Sequence, residues 1–186
     1  MHTKHTALLL VDVQQAFDNP SWGARNNPEA ERNIASLLAH WRAQQMPIIH
    51  IRHFSVHADS TLHPSQPGVA YKSEASPAAG EKELTKSVNS AFIGTGLEGY
   101  LHQQQIECLV IVGISTDHCV STTTRMAGNL GFTTYLVSDA CATFDRRRAD
   151  GKLFLAEDIH QIHLCSLDGE FCTVRTTAEI LRTEFA

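Results

Sequence analysis

The chain has no long hydrophobic run. Its first apolar stretch, residues 7–13, contains Asp12. A membrane span needs ~20 apolar residues, and this stretch is also too short and too polar for a secretion signal. A CxxC pair is missing too: the five cysteines, Cys108, Cys119, Cys141, Cys165 and Cys172, form an odd set. These two absences predict free thiols in a reducing cytoplasm. Nor is there an excess of positive charge. The net charge is −5, and the one basic run, Arg146-Arg147-Arg148, reads as a solvated loop or helix start. Neither nucleic acid nor a membrane is therefore an expected partner. Internal repeats and linker-like stretches are absent, which predicts a single domain over residues 1–186. With 42% hydrophobic and 19% charged residues, the composition is that of an ordinary globular chain rather than a disordered one.

What is present is an alternation of apolar runs and amphipathic stretches. Residues 7–13, 47–53, 83–86, 107–112, 132–137 and 170–174 read as strands. Residues 29–44 read as a helix, with Ile34, Leu37, Leu38 and Trp41 at helical spacing. Further helices are predicted over 95–105, 120–130, 153–160 and 177–185. Segment 54–81, with Pro64, Pro67, Pro77, Gly68 and Gly80, is a long loop and is expected to act as a lid or a subunit contact. Such alternation predicts an α/β fold: three layers around a doubly wound, mainly parallel, six-stranded sheet. Ligands of these sheets bind beyond the carboxyl ends of the strands, where strand order reverses.

Cys119 follows an apolar run and a polar turn and opens the helix predicted over 120–130. At a helix N-terminus, unpaired N–H groups and the macrodipole are expected to lower a thiol pKa from ~8.5 toward neutrality. The other four cysteines lie in apolar or strand-like contexts and read as core residues. Asp12 and Lys86 also fall at the ends of predicted strands, so a parallel sheet puts all three on one rim. An aspartate there is ordinarily a cap, and a lone lysine is ordinarily solvated. Their joint placement gives the functional reading: a cysteine nucleophile, Asp12 to accept its proton, and Lys86 to hold both by charge.

The motifs Leu8-Leu-Leu-Val-Asp12-Val-Gln14, Lys86-Ser-Val-Asn-Ser-Ala-Phe92 and Val112-Gly-Ile-Ser-Thr-Asp-His-Cys119-Val resemble those of the isochorismatase-like cysteine hydrolases. That family includes nicotinamidases, N-carbamoylsarcosine amidases and streptothricin hydrolases. The resemblance covers nearly the whole chain. It implies hydrolysis of a small amide or carbamoyl substrate through a Cys119 thioester, with Asp12 as proton shuttle and Lys86 as electrostatic stabiliser. It also implies a cis Ile114–Ser115 peptide, an oxyanion hole from the Ser115 and Cys119 N–H groups, and a homodimer or homotetramer.

Nicotinamidases of the family bind a metal through an Asp-x-His pair after the second strand. The aspartate is missing from Ile51-Arg52-His53, so neither metal nor cofactor is expected. His50 and His53, three apart on a strand, face opposite sides. Phe17, Trp22, His53 and His118 are the expected pocket residues. Phe92 reads equally as core or pocket, and Asn89 as a donor to loop backbone. His160 and His163 read as core or interface. Two alternatives stand beside amide hydrolysis. One is vinyl-ether cleavage of the isochorismatase type; the other is a thiol redox role pairing Cys119 with Cys141 or Cys165.

Overall fold

Strand β1 (Thr6–Val11) is wholly buried and sends alternate side chains into two different cores. Ala7, Leu9 and Val11 pack on one side with Leu97, Leu101, Val120, Ala127, Leu164 and Leu167. Leu8 and Leu10 pack on the other with Ile34, Leu37, Leu38, Trp41 and Ile180. A strand covered on both faces reads as a continuous apolar run, as this one does. In this computed structural model, which describes residues 5–183 and Phe185, three layers result. Helices α2 (Leu97–Gln103), α3 (Ser121–Asn129) and α4 (Ala156–Leu167) cover one face. Helices α1 (Ala30–Ala43) and α5 (Thr177–Ile180) cover the other.

The remaining strands are β2 (Ile48–His53), β3 (Lys82–Lys86), β4 (Cys108–Ile114), β5 (Thr133–Ala142), the short pair β6 (Arg146–Arg147) and β7 (Leu153–Phe154), and β8 (Thr173–Arg175). The main sheet has the order β3-β2-β1-β4-β5-β8, and every neighbouring pair is parallel. The chain winds outward from β1 through β2 to β3, then returns to β4 on the other flank of β1. Strand order therefore reverses between β1 and β4, and the crevice lies above that junction. Gly113 permits the close approach there: a Cβ on it would lie 2.0 Å from the Val11 carbonyl oxygen, and its φ is +138°.

Three expectations are corrected. The helix predicted over 153–160 begins only at Ala156. Leu153 and Phe154 instead pair antiparallel with Arg147 and Arg146, because Leu153 and Leu155 are exposed and offer no helical face to the core. The Ala156 N–H donates to Asp145 Oδ1 at 2.7 Å, which starts α4 there. The closing helix ends at Ile180 after a Thr176–Glu179 capping box; residue 184 of the predicted span lies outside the described residues. Cys165, read as core, is exposed on α4.

Segment 54–81 folds onto the rim. It carries two short 3-10 turns, Pro67–Val69 and Ser73–Ala75. Backbone bonds Gln15 N–H to Ala70 O at 2.9 Å and Lys72 N–H to Val13 O at 3.0 Å fasten it beside Asp12.

Candidate active site

Asp12 follows β1 with a left-handed backbone (φ 54°), a conformation aspartate tolerates better than most residues. The turn leaves its side chain fully buried at the crevice. Lys86 ends the edge strand β3, in register with His53 of β2. Cys119 stands in a wide, π-helical turn, Thr116–Val120, that precedes α3. It therefore belongs to the turn rather than to the helix predicted to start beside it.

These elements converge on one atom. Lys86 Nζ lies 2.6 Å from Asp12 Oδ2, 3.0 Å from His53 Nδ1 and 3.2 Å from Cys119 Sγ. An ammonium has three protons, and three acceptors surround it. Asp12 Oδ1 is buried and holds no hydrogen bond, so one carboxylate oxygen remains open to receive a proton.

The electrostatics overturn the expected low thiol pKa. Burial, and then the Asp12 carboxylate, push the Cys119 thiol well above the ordinary range, and Lys86 only partly opposes them. Desolvation and a neighbouring anion act together to favour the neutral thiol. His53 is shifted the other way: burial, and then the Lys86 charge, lower its pKa and keep the ring neutral.

The loop carrying Cys119 is tied down by residues that sequence reasoning passed over. Asp117 accepts from the Thr143 hydroxyl and from Arg146 Nε at 3.0 Å. Burial opposes its ionisation, but hydrogen bonds from Arg146, Thr143 and Ser115 outweigh burial and hold the carboxyl at about 2. Thr116 Oγ1 lies 2.8 Å from Nδ1 of buried His160, which assigns His160 to the core beneath the loop. The Ile114–Ser115 peptide is cis. Gln14 clamps β2: it donates to His53 O at 3.2 Å and accepts from His53 N–H at 2.8 Å. Asp117 and Gln14 both stand inside the quoted motifs, which was the available signal.

Above Cys119 lies a cavity of about 200 Å³. The four expected pocket residues, Phe17, Trp22, His53 and His118, all line it, together with Ser115 and Cys119. Ser60, Leu62 and Asn89 complete the wall. Phe17 and Trp22 also pack against Phe144, with ring centroids 6.0 and 5.5 Å away. Phe92 is not on the wall; it stacks on Phe132 at 5.9 Å. A larger open hollow of about 800 Å³ shares no lining residue with this cavity. Its charges are spent on each other: Glu31 bonds both Arg25 at 2.7 Å and Lys72 at 2.9 Å.

Among the described residues, one group of three possible ligands has donor atoms within 4.8 Å of one another, namely Asp12, His53 and Cys119. The Lys86 ammonium stands among these same three groups, at 2.6, 3.0 and 3.2 Å. His50 faces away and bonds Glu81 Oε2 at 2.8 Å. Among the described residues, no helix is long and apolar enough to cross a membrane.

Comparison with known proteins assigns the chain to a family. Residues 6–179 match the isochorismatase domain model. The isochorismatase family protein YrdC of Bacillus subtilis is 48% identical over 175 residues, covering 94% of each chain. The maleamate amidohydrolase of Pseudomonas putida is 28% identical over 192 residues, covering 95% of this chain and 85% of its own. Among solved structures, a protein of the isochorismatase family from Chromobacterium violaceum superposes with a TM-score of 0.93 at 49% identity, covering 97% of this chain and 94% of the other. With this match over nearly its whole length, and with three rim residues gathered at the strand-order reversal, the chain belongs to the isochorismatase family of hydrolases.

Proposed function

We propose that the protein hydrolyses a small amide or carbamoyl C–N bond through a thioester on Cys119. The observation that carries this reading is the three-way contact of Lys86 Nζ with Asp12, Cys119 and His53, beside an Asp12 oxygen left without a partner. As Cys119 Sγ bonds to the carbonyl carbon, its proton passes to Asp12 Oδ1. Lys86 keeps the developing sulfur charge and Asp12 in place. Ser115 and Cys119 both line the cavity, and their backbone N–H groups receive the negative oxygen in this scheme; one such donor is typically worth ~10²–10³ in rate. The C–N bond then breaks, and the amine leaves with the proton held by Asp12. Water, deprotonated by the same carboxylate, attacks the thioester. The acid departs and Cys119 regains its proton.

A thiol that is neutral at rest suits this scheme, because a carboxylate oxygen of Asp12 stands within 4.8 Å of the sulfur and removes the proton only as the bond forms. That a relative is named an amidohydrolase supports the choice of an amide over a vinyl ether. The test is amine release from a panel of small uncharged amides. Turnover by the wild type and its loss in Cys119→Ala are expected; undiminished turnover by the variant overturns the proposal.

A further inference from the structure

We propose that His53 is a substrate-recognition residue: it offers an Nε2–H donor to an acceptor atom beside the scissile carbonyl, and so selects small uncharged amides that carry a second acceptor. This rests on the amide reading above and extends it to substrate class.

The argument begins with the lysine. An ammonium can only donate, so the atom of His53 that lies 3.0 Å from Lys86 Nζ must present a lone pair. That atom is Nδ1. A neutral imidazole with Nδ1 bare carries its proton on Nε2. Burial and the adjacent Lys86 charge both disfavour a second proton on the ring. The tautomer is thus set by Lys86, and the ring has one donor left.

That donor has no taker among the described residues, since the ring's one hydrogen bond is to Lys86. Nor is Nε2 among the buried polar atoms without a partner. It is therefore reached by solvent, and His53 meets solvent at the cavity above Cys119. Gln14 holds the His53 backbone from both sides, at 2.8 and 3.2 Å, and Lys86 Nζ holds the ring itself at Nδ1, so the ring cannot turn away without giving up its bond to the ammonium. A fixed donor in a cavity of about 200 Å³ is a selective feature: a substrate with no acceptor there strips the N–H of water and gives nothing back.

The rest of the wall argues for an uncharged ligand. Phe17, Trp22 and Leu62 are apolar, Ser60 and Asn89 are neutral, and no carboxylate or guanidinium lines the cavity. His118 already stands 3.4 Å from the Asp117 carboxylate. The Lys86 charge is matched by Asp12 at 2.6 Å. An ionic substrate would find no free counter-charge on these walls.

Two measurements test this, and neither needs turnover. The first is nitrogen-15 NMR of the histidine rings at pH 7. His53 should show a bare Nδ1 and a protonated Nε2; a doubly protonated ring, or a proton on Nδ1, overturns the proposal. The second is alkylation of Cys119 by chloroacetamide, which has a carbonyl acceptor, and by methyl iodide, which has none. His53→Phe should slow chloroacetamide about tenfold more than it slows methyl iodide, the value of one hydrogen bond, the methyl iodide rate reading whatever the change does through Lys86 alone. His53→Gln, which keeps an amide N–H at similar reach, should restore most of the chloroacetamide rate, and it serves if the Phe variant does not fold. Equal slowing of both reagents would show His53 acting only through Lys86, and no slowing of chloroacetamide would show no recognition; either result overturns the proposal. Amide turnover that survives Cys119→Ala would instead remove the hydrolytic reading while leaving the His53 results standing.

Discussion

Lys86 ends β3 and Cys119 follows β4, on opposite sides of β1, yet the Lys86 ammonium lies 3.2 Å from the Cys119 sulfur. Three strand spacings of ~4.8 Å separate β3 from β4. The gap closes from both ends. The long lysine stem reaches inward over the rim, and the turn after β4 brings Cys119 back toward β1. Asp12 lies at the meeting point because β1 is the strand between β2 and β4.

Replacing Asp12 by Asn removes the carboxylate that helps hold the thiol protonated and leaves Lys86 beside it. The Cys119 titration, followed by thiolate absorbance, should move to lower pH in Asp12→Asn, while amide turnover falls at least ~10²-fold for want of the base. A titration unmoved or displaced upward would contradict the assigned cause.

The Asp12–Lys86 pair is fully buried, with neither side chain exposed. Lys86→Met strands a buried carboxylate and should cost about 3–5 kcal/mol in urea denaturation. The double variant Asp12→Asn/Lys86→Met should recover most of that loss and remain inactive. A double variant as unstable as the single one would show that the lysine stabilises the fold chiefly by packing.

The native Asp117 carboxyl titrates at about 2, below the ~3.9 of an unfolded chain. A folded pKa below the unfolded one gives stability that is complete above about pH 4 and is lost as pH falls toward 2. Asp117→Asn should therefore be less stable than wild type by about 2 kcal/mol at pH 7. The difference should shrink steeply between about pH 4 and pH 2 and close below the folded value. A constant difference over that range would assign the effect to shape rather than charge.

Much of this site is legible in the sequence, and the rest is not, for identifiable reasons. Asp12 and Lys86 stand at the ends of apolar runs, and parallel strands must bring such ends to one rim. The direction of the thiol shift was not accessible, because a helix-start pattern says nothing about burial or the distance to a carboxylate. Asp117 and Arg146 are 29 residues apart, and no periodicity joins them; only the turn between β5 and β6 does. The start of α4 was misplaced because Leu153 and Leu155 look like part of a helical face, yet both side chains face solvent. Alternation in so short a ribbon is indistinguishable from the first turn of a helix.

Gly113 has the tightest backbone contact of the crevice, with a Cβ position 2.0 Å from the Val11 oxygen. Gly113→Ala should destabilise the fold by at least ~3 kcal/mol, since neither strand can yield without breaking the ladder. Thermal denaturation of the variant measures it; a wild-type midpoint would mean that β1 and β4 separate more readily than their pairing suggests.

The most direct test of the chemistry is mass spectrometry of the protein quenched in acid during turnover of a small uncharged amide. The wild type should carry the acyl part of the substrate on the peptide containing Cys119, and Cys119→Ala should carry none. An acyl group on a different residue, or full turnover without Cys119, would contradict a thioester mechanism at this site.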